Sequence, residues 1–274
     1  PIYLIGFTRT MLMKRLSSNG AVFNLSLQRH LLRNHMYMQA IQDGADIPIG
    51  SVSDTQIFSD REDGLGIDVD LDDAALDAIP SQSDWEALGS TALDQLKARN
   101  PKGVTWVRSG LFTQDLCDHL ISDSNAIQDL LVRFGIWNQA SDSKLDALEK
   151  LLIERHSNEK VLIFSEYADT ARYIEAALKK RGLVDLASVT GDDEDPTKMA
   201  RRFSPVSNKD LPGAEVQPKD ELRVLVATDV LSEGQNLQDA AIVVNFDLPW
   251  AIIKLIQRAG RVDRIGQKSD IVRV

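Results

Sequence analysis

Along this chain apolar residues recur first at helical spacing and, from Ser143 onward, in short strand-sized runs separated by amphipathic stretches. Residues 10–16 and 21–41 place apolar side chains at helical spacing, with Ser18-Asn19-Gly20 as the break between two helices. The second helix carries Leu25, Leu32 and Met36 on one stripe, with Arg29 and Arg33 four apart. Such an arm cannot bury its stripe alone, so it is expected to pack on a later domain. Residues 51 to about 110 are acidic and poor in long periodic runs; short helices are predicted around 72–79 and 84–99.

From Ser143 the period changes. Residues 144–154 form an amphipathic helix with Leu145, Leu148, Leu152 and Ile153 inward. A β-rich run at 160–164 leads into a helix over 168–180 that ends at Gly182; 186–189 is a second strand, and 199–203 closes another helix. Strands follow at 222–227 and 241–246, then a helix at 249–260, and 271–274 begins a fifth strand that the chain end cuts off. Strands alternating with helices predict an α/β fold, a parallel sheet flanked by helices. In such sheets ligands sit beyond the carboxyl ends of the strands. The unusual polar stretches fall there: Ser165-Glu166-Tyr167, Thr190-Gly191-Asp192, Thr228-Asp229 and Asp247. Residues 205–221, with three prolines and Gly213, read as an exposed loop. The expected organisation is a helical arm (1–50), an acidic and partly helical insertion (51–141), and an α/β lobe (142–274) truncated at its last strand.

Composition changes this picture little. With 43% hydrophobic and 26% charged residues, the 274-residue chain has the balance of a globular protein with a core of its own. Its apolar runs are too short to span a membrane, and Pro1-Ile2-Tyr3 lacks a signal peptide's opening pattern, so a cytoplasmic protein with no membrane partner is expected. An opening on Pro1 rather than Met leads to the expectation of an excised or processed chain. Cys117 stands alone, which excludes an intrachain disulfide, and His30, His35, His119 and His156 form no Cys/His metal spacing, so no metal site is expected.

Charge changes the picture more. The net charge of −10 argues at first against a polyanionic partner. Yet residues 54–95 hold twelve Asp or Glu against Arg61 alone, so this segment carries −11 and the remainder +1. Local patches, not the total, govern nucleic-acid binding. The acidic segment itself reads as a surface-solvating loop or, more sharply, as an autoinhibitory or partner-docking segment.

Two segments carry candidate chemistry. In Gln257-Arg258-Ala259-Gly260-Arg261-Val262-Asp263-Arg264-Ile265-Gly266-Gln267, arginines recur every three residues, which on a helix sets them along one face. Three guanidiniums repel one another unless an anion gathers them. Asp263 can neutralise one, and phosphate suits the others because the guanidinium fork matches its oxygens. An ordinary solvated basic helix would have the same spacing. In the second segment, the strand 224–227 runs into Thr228-Asp229-Val230-Leu231-Ser232-Glu233-Gly234-Gln235-Asn236-Leu237. Gly234 permits a backbone that a Cβ would penalise, and Thr228, Ser232, Gln235 and Asn236 offer donors and acceptors suited to phosphate and sugar. A strand-to-helix turn capped by Asp229 or Ser232 is the plainer alternative.

Together with Val161-Leu162-Ile163-Phe164-Ser165-Glu166-Tyr167, and with Thr190-Gly191 followed by Arg201-Arg202-Phe203-Ser204, these segments resemble the C-terminal RecA-like lobe of superfamily-two helicases and translocases. The first looks like motif IV, 227–237 like motif V, and 257–267 like motif VI. The Arg-Ile-Gly-Gln ending at 264–267, preceded by Phe246-Asp247-Leu248-Pro249-Trp250, is similar to the Swi/Snf group, especially RapA-like ATPases and the DrmD-like helicases of DISARM phage defence. The resemblance covers about 142–274, and Lys14-Arg15-Leu16-Ser17-Ser18 resembles the same group more loosely.

The resemblance implies that Arg261 and Arg264 reach the γ-phosphate as arginine fingers. It implies that Gln257 and Arg258 organise the same cleft, that Gly234 and Asn236 lie near ATP and its ribose, and that Ser165, Gly191 and Thr228 hold a nucleic-acid backbone. ATP and Mg²⁺ are the implied cofactors, held mainly by an N-terminal RecA-like lobe of the same protein. Double-stranded DNA, more than RNA, is the implied track, with RNA polymerase or defence-system proteins as further partners. Two departures bear on this: Glu233 stands where many Swi/Snf proteins have Gly or Leu, and Asp263 replaces a glycine common in RNA helicases. No Gly-x-x-x-x-Gly-Lys-Ser/Thr loop occurs in the chain, nor an Asp-Glu-x-His or Asp-Glu-x-Asp after an apolar strand. The chain alone is therefore expected to hydrolyse little or no ATP. A RecA-like module that binds nucleic acid or protein without hydrolysis, and a lobe of an RNA helicase, are the competing alternatives.

Overall fold

The computed structural model describes residues 2–50, 79–100, 104–191, 193, 195–209, 215–232 and 235–274. The chain divides into two units: Pro1–Leu16 with Gly20–Trp137, and Ser17–Asn19 with Asn138–Val274.

The first unit holds helices α1 (Ile2–Ser18), α2 (Gly20–Gln42), α3 (Gln82–Arg99) and α4 (Gln114–Phe134), with strands β1 (Asp46–Gly50) and β2 (Val104–Arg108). The strands pair antiparallel, Asp46 opposite Arg108 and Gly50 opposite Val104. Helix α2 packs against α3 and α4. Its Leu27, Leu31, Leu32 and Met36 are buried with Trp85 and Leu93 of α3 and Leu131 of α4. The arm thus finds its core within its own unit, which replaces the expectation that it packs on a later domain. The reason is α4, whose stripe of Leu116, Leu120, Ile127, Leu130 and Leu131 supplies apolar surface that the acidic background of that region concealed. Helix α3 starts at a capping box, with Ser81 accepting from the Asp84 amide and Asp84 from the Ser81 amide. Of the two short helices predicted in the acidic segment, this one covers 84–99; the other, around 72–79, lies almost entirely outside the described residues.

The second unit is an α/β fold, a parallel sheet flanked by helices. Its strands β3 (Val161–Phe164), β4 (Leu186–Val189), β5 (Val224–Ala227) and β6 (Ile242–Asn245) form a parallel sheet in the order β4-β5-β3-β6. These runs are apolar almost throughout because both faces are covered. Val161, Ile163, Val224, Val226 and Ile242 pack with Leu145 and Leu148 of α5 (Ser143–Lys150) and Ile174 and Leu178 of α6 (Ala168–Lys180). The alternate residues Leu162, Phe164, Leu225, Ala227 and Val243 pack with Ala200 and Phe203 of α7 (Pro196–Phe203) and with Leu231, Leu237 and Val262. The strand period of two thereby feeds two helical layers. Helix α8 (Ile252–Ala259) follows β6. The fifth strand predicted at 271–274 is reduced to a single parallel bridge between Arg273 and Ile242.

Candidate functional site

The four parallel strands run in register, Phe164 beside Ala227 and Asn245, and Val189 beside Ala227. The residues that follow them therefore line up along one edge. The ladder continues into them: Ser165 N–H donates to Ala227 O (3.0 Å), Thr228 N–H to Val189 O (3.1 Å), and Phe246 N–H to Phe164 O (2.8 Å). This brings Ser165, Thr190, Thr228 and Asp247 to the same carboxyl edge, as parallel-sheet geometry predicts.

The hydroxyls at that edge face inward. Ser165 and Thr228 are fully buried. Ser165 Oγ donates to Asp247 Oδ2 (2.8 Å), and Thr228 Oγ1 has no partner among the described residues. Their side chains are not presented to solvent. Gly191, in contrast, is exposed, next to a Thr190 whose hydroxyl and amide are held by Asp193.

Asp229, the second residue past β5, decides the fate of the arginine row. Its Oδ1 accepts from Arg258 Nε (2.7 Å) and its Oδ2 from Lys254 Nζ (2.9 Å). Lys254 and Arg258 are one helical turn apart on α8, so a single carboxylate serves both. Arg258 is only 2% exposed, lies 5.2 Å from the Phe164 ring centroid, and also donates to Asn245 Oδ1 (3.2 Å). Burial pushes the Asp229 carboxyl upward, but hydrogen bonding and charge from Arg258, and then Lys254, outweigh it and hold the group below the usual carboxylate range.

The three arginines do not share a helix face, contrary to their spacing. Helix α8 ends at Ala259, and side chains take carbonyls in the turn beyond it: Arg264 Nε donates to Gly260 O (3.1 Å) and Gln267 Nε2 to Val262 O (3.1 Å). Nor is Asp263 the neutralising carboxylate; it is exposed, and Asp229 takes that role. Arg258 is thereby turned into the protein, while Arg261 and Arg264 sit half-buried on the turn that follows. That turn is stitched to the segment after β5. Arg264 donates to Gln235 O (3.4 Å), Gln238 Nε2 to Ile265 O (3.0 Å), and Gln267 Nε2 to Ala240 O (2.8 Å). Gln235 in turn donates to Thr197 Oγ1 (3.1 Å), and Asn236 Nδ2 to Ser207 O (3.4 Å). Gln257 is exposed on α8; Gly234 lies outside the described residues. Among the described residues no group of three His, Cys, Asp or Glu could hold a metal ion, and no helix is long and apolar enough to cross a membrane.

Sequence reasoning placed Asp229 at the edge but missed its partners. The available signal was Lys254 and Arg258 four apart on a short apolar helix, a pair of bases that needs one shared acid.

Residues 143–266, just under half of the chain, match the family model of the helicase conserved C-terminal domain. An uncharacterized ATP-dependent helicase of Bacillus subtilis (strain 168), YqhH, is 32% identical over 149 residues, which is 54% of this chain; the chain spans 24% of that relative's length. Among solved structures, the C-terminal part of the Fun30 ATPase domain is 19% identical, with a TM-score of 0.42 over 73% of this chain and 58% of that one. The second domain of the DEAD-box helicase Mss116p, solved on an RNA duplex, is 23% identical with a TM-score of 0.36 over 48% of this chain and 47% of its own. Residues 143–266 thus resemble a helicase conserved C-terminal domain, and they hold the parallel sheet.

Proposed function

We propose that this chain is the C-terminal motor lobe of an ATP-dependent DNA translocase, supplying Arg261 and Arg264 as arginine fingers and part of a nucleic-acid track. The observation that carries this is the grip of Asp229 on Lys254 and Arg258. It commits Arg258 to holding α8 against β5 and leaves Arg261 and Arg264 on the turn tied to residues 235–240. Arg258 is then a positioning residue rather than a nucleotide ligand.

Bound ATP and Mg²⁺ would supply the phosphoryl group and the cation that neutralises its charge. The guanidiniums of Arg261 and Arg264, with the amides of Gln257 and Asn236, offer donors suited to phosphate and ribose oxygens. Gly234 belongs to this set on the resemblance alone. The carboxylates for Mg²⁺ and the cradle for the triphosphate would lie on the N-terminal RecA-like lobe. Duplex DNA would be met mainly through its phosphates, near exposed Gly191 and over buried Ser165 and Thr228, and hence with little sequence preference and marked salt sensitivity.

The test is ATP turnover by the full-length protein and its Arg264→Ala variant, each with and without duplex DNA. DNA-stimulated turnover is expected to fall in the variant by roughly 10³-fold or more, the contribution of arginine fingers generally. Turnover that survives the substitution would remove the finger assignment; stimulation by RNA but not DNA would replace the track. The chain by itself is expected to turn over no measurable ATP and to bind duplex DNA no tighter than about 10⁻⁴ to 10⁻⁶ M.

A further inference from the structure

Residues 17–19, the end of α1 and the residue before α2, belong to the second unit although the family match begins only at 143. Ser18 Oγ lies 2.6 Å from Asp247 Oδ2 and 2.9 Å from Thr170 Oγ1. Its one proton goes to the carboxylate, so Thr170 donates to Ser18. Ser165 Oγ donates to the same carboxylate oxygen (2.8 Å), and Glu166 N–H donates to the other (3.0 Å). Asp247 is buried, and no ion pair with it occurs among the described residues; its oxygens accept from these three neutral donors, while the Lys144 ammonium acts on its charge through space. One of the three comes from a residue 229 positions earlier in the chain.

The tripeptide is held on both sides of Ser18. Lys144 Nζ donates to the carbonyls of Ser17 (3.1 Å) and Ser18 (2.9 Å) and lies 4.0 Å from the Phe246 ring centroid. Asn19 Nδ2 donates to Asp142 Oδ2 (3.0 Å), the oxygen that Tyr173 also reaches (2.8 Å). Asp142 in turn caps α5 through the Lys144 and Leu145 amides. Thr170, Asp247, Lys144 and Asp142 thus receive this turn through four of its backbone or side-chain groups.

We infer that Ser18 is a positioning residue for the loop Ser165–Tyr167: by completing the donor set of Asp247 it fixes the carboxylate that holds the Ser165 hydroxyl and the Glu166 amide. Without the Ser18 hydroxyl a buried carboxylate is left short of a donor. It relaxes toward other partners and releases its grip on the loop at the carboxyl end of β3. The functional edge of the second unit is therefore completed from the amino-terminal part of the chain. The consequence for nucleic-acid dependence, but not for the loop itself, rests on the motor function proposed above.

Hydrogen–deuterium exchange of this chain tests it in Ser18→Ala, Asp247→Asn and the double variant. Exchange at Glu166 and Tyr167 is expected to quicken about tenfold in Ser18→Ala, the order set by losing a hydrogen bond to a charged group, while the β5 amides keep their protection. In the Asp247→Asn background the same change should add little, because both act through one carboxylate. Unchanged loop exchange, additive effects, or parallel loss of protection across β4–β6 would overturn the assignment. Should Ser18→Ala fail to fold, Thr170→Val removes the donor to Ser18 without touching Asp247; quickened exchange in the same loop supports the assignment and its absence refutes it. In the full-length protein, Ser18→Ala should raise the DNA concentration for half-maximal ATPase stimulation several-fold and spare turnover at saturating DNA. Equal loss of both would mean a merely structural role. A wild-type protein that DNA fails to stimulate would remove the motor function, and the exchange data would still decide Ser18.

Discussion

Asp229 fixes which arginine of the Arg258-Arg261-Arg264 row is structural. A guanidinium as buried as that of Arg258 is tolerable only with a paired acid, and removing that acid strands the charge. Asp229→Asn is therefore expected to cost about 3 kcal/mol in urea unfolding, the low end for breaking a buried pair because Asp229 keeps some solvent contact. Its acid response should change too. The folded-state carboxyl is held below its ordinary value, so its stabilisation is complete above about pH 4 and lost as pH falls through the lower, folded value. Wild type should lose stability across that acidic window, and Asp229→Asn should remove this part of the slope in unfolding midpoints measured against pH. Asp229 was visible in the sequence as a polar residue after a strand, and as a turn cap. What it binds was not, because Lys254 and Arg258 lie 25 and 29 residues further on and no local pattern joins them.

Among the elements, those with unbroken local patterns were legible. The strand at 186–189 and the helix at 168–180 appear where alternation and the 3.6-residue period put them, and α3 extends its predicted range by only two residues. Helix α8 ends at Ala259 with Gly260 as its cap, within one residue of its predicted end. Helix α4 went unread because its exposed Asp115, Asp118, Asp123 and Asp129 continue the acidic character of the segment before it, and β1 and β2 because they are five residues each and pair across a long intervening segment. Close helix packing in the first unit gives a test at this scale. A Cβ on Gly89 of α3 would meet His35 C and Cβ at 2.8 Å, backbone included, on α2. Intrinsic propensity favours alanine in a helix by up to about 1 kcal/mol. The clash is with main chain, which cannot swing aside, so Gly89→Ala should instead destabilise by about 1–3 kcal/mol, read as a lower thermal midpoint of the first unit's transition.

At the scale of the whole molecule, the two units have separate apolar cores, one built on α2 and α3 and the other on the two faces of the parallel sheet. Phe203, fully buried under β5, serves only the second. Phe203→Ala should cost about 3–5 kcal/mol there, and hydrogen exchange should speed up through β3–β6 while the amides of α2 keep their protection.

The sequence by itself determined the α/β lobe from 143 onward, the edge where its polar loops gather, and the match of residues 257–267 to a helicase motif. These follow from periods of two and 3.6 and from contiguous residues, which are local properties of a chain. Only the tertiary structure decided which arginine is buried, which carboxylate holds it, and that Ser18 completes the donor set of Asp247. Each depends on burial of a charged group, and the cost of burying charge is met by whichever partner the fold brings near, however far away it stands in sequence.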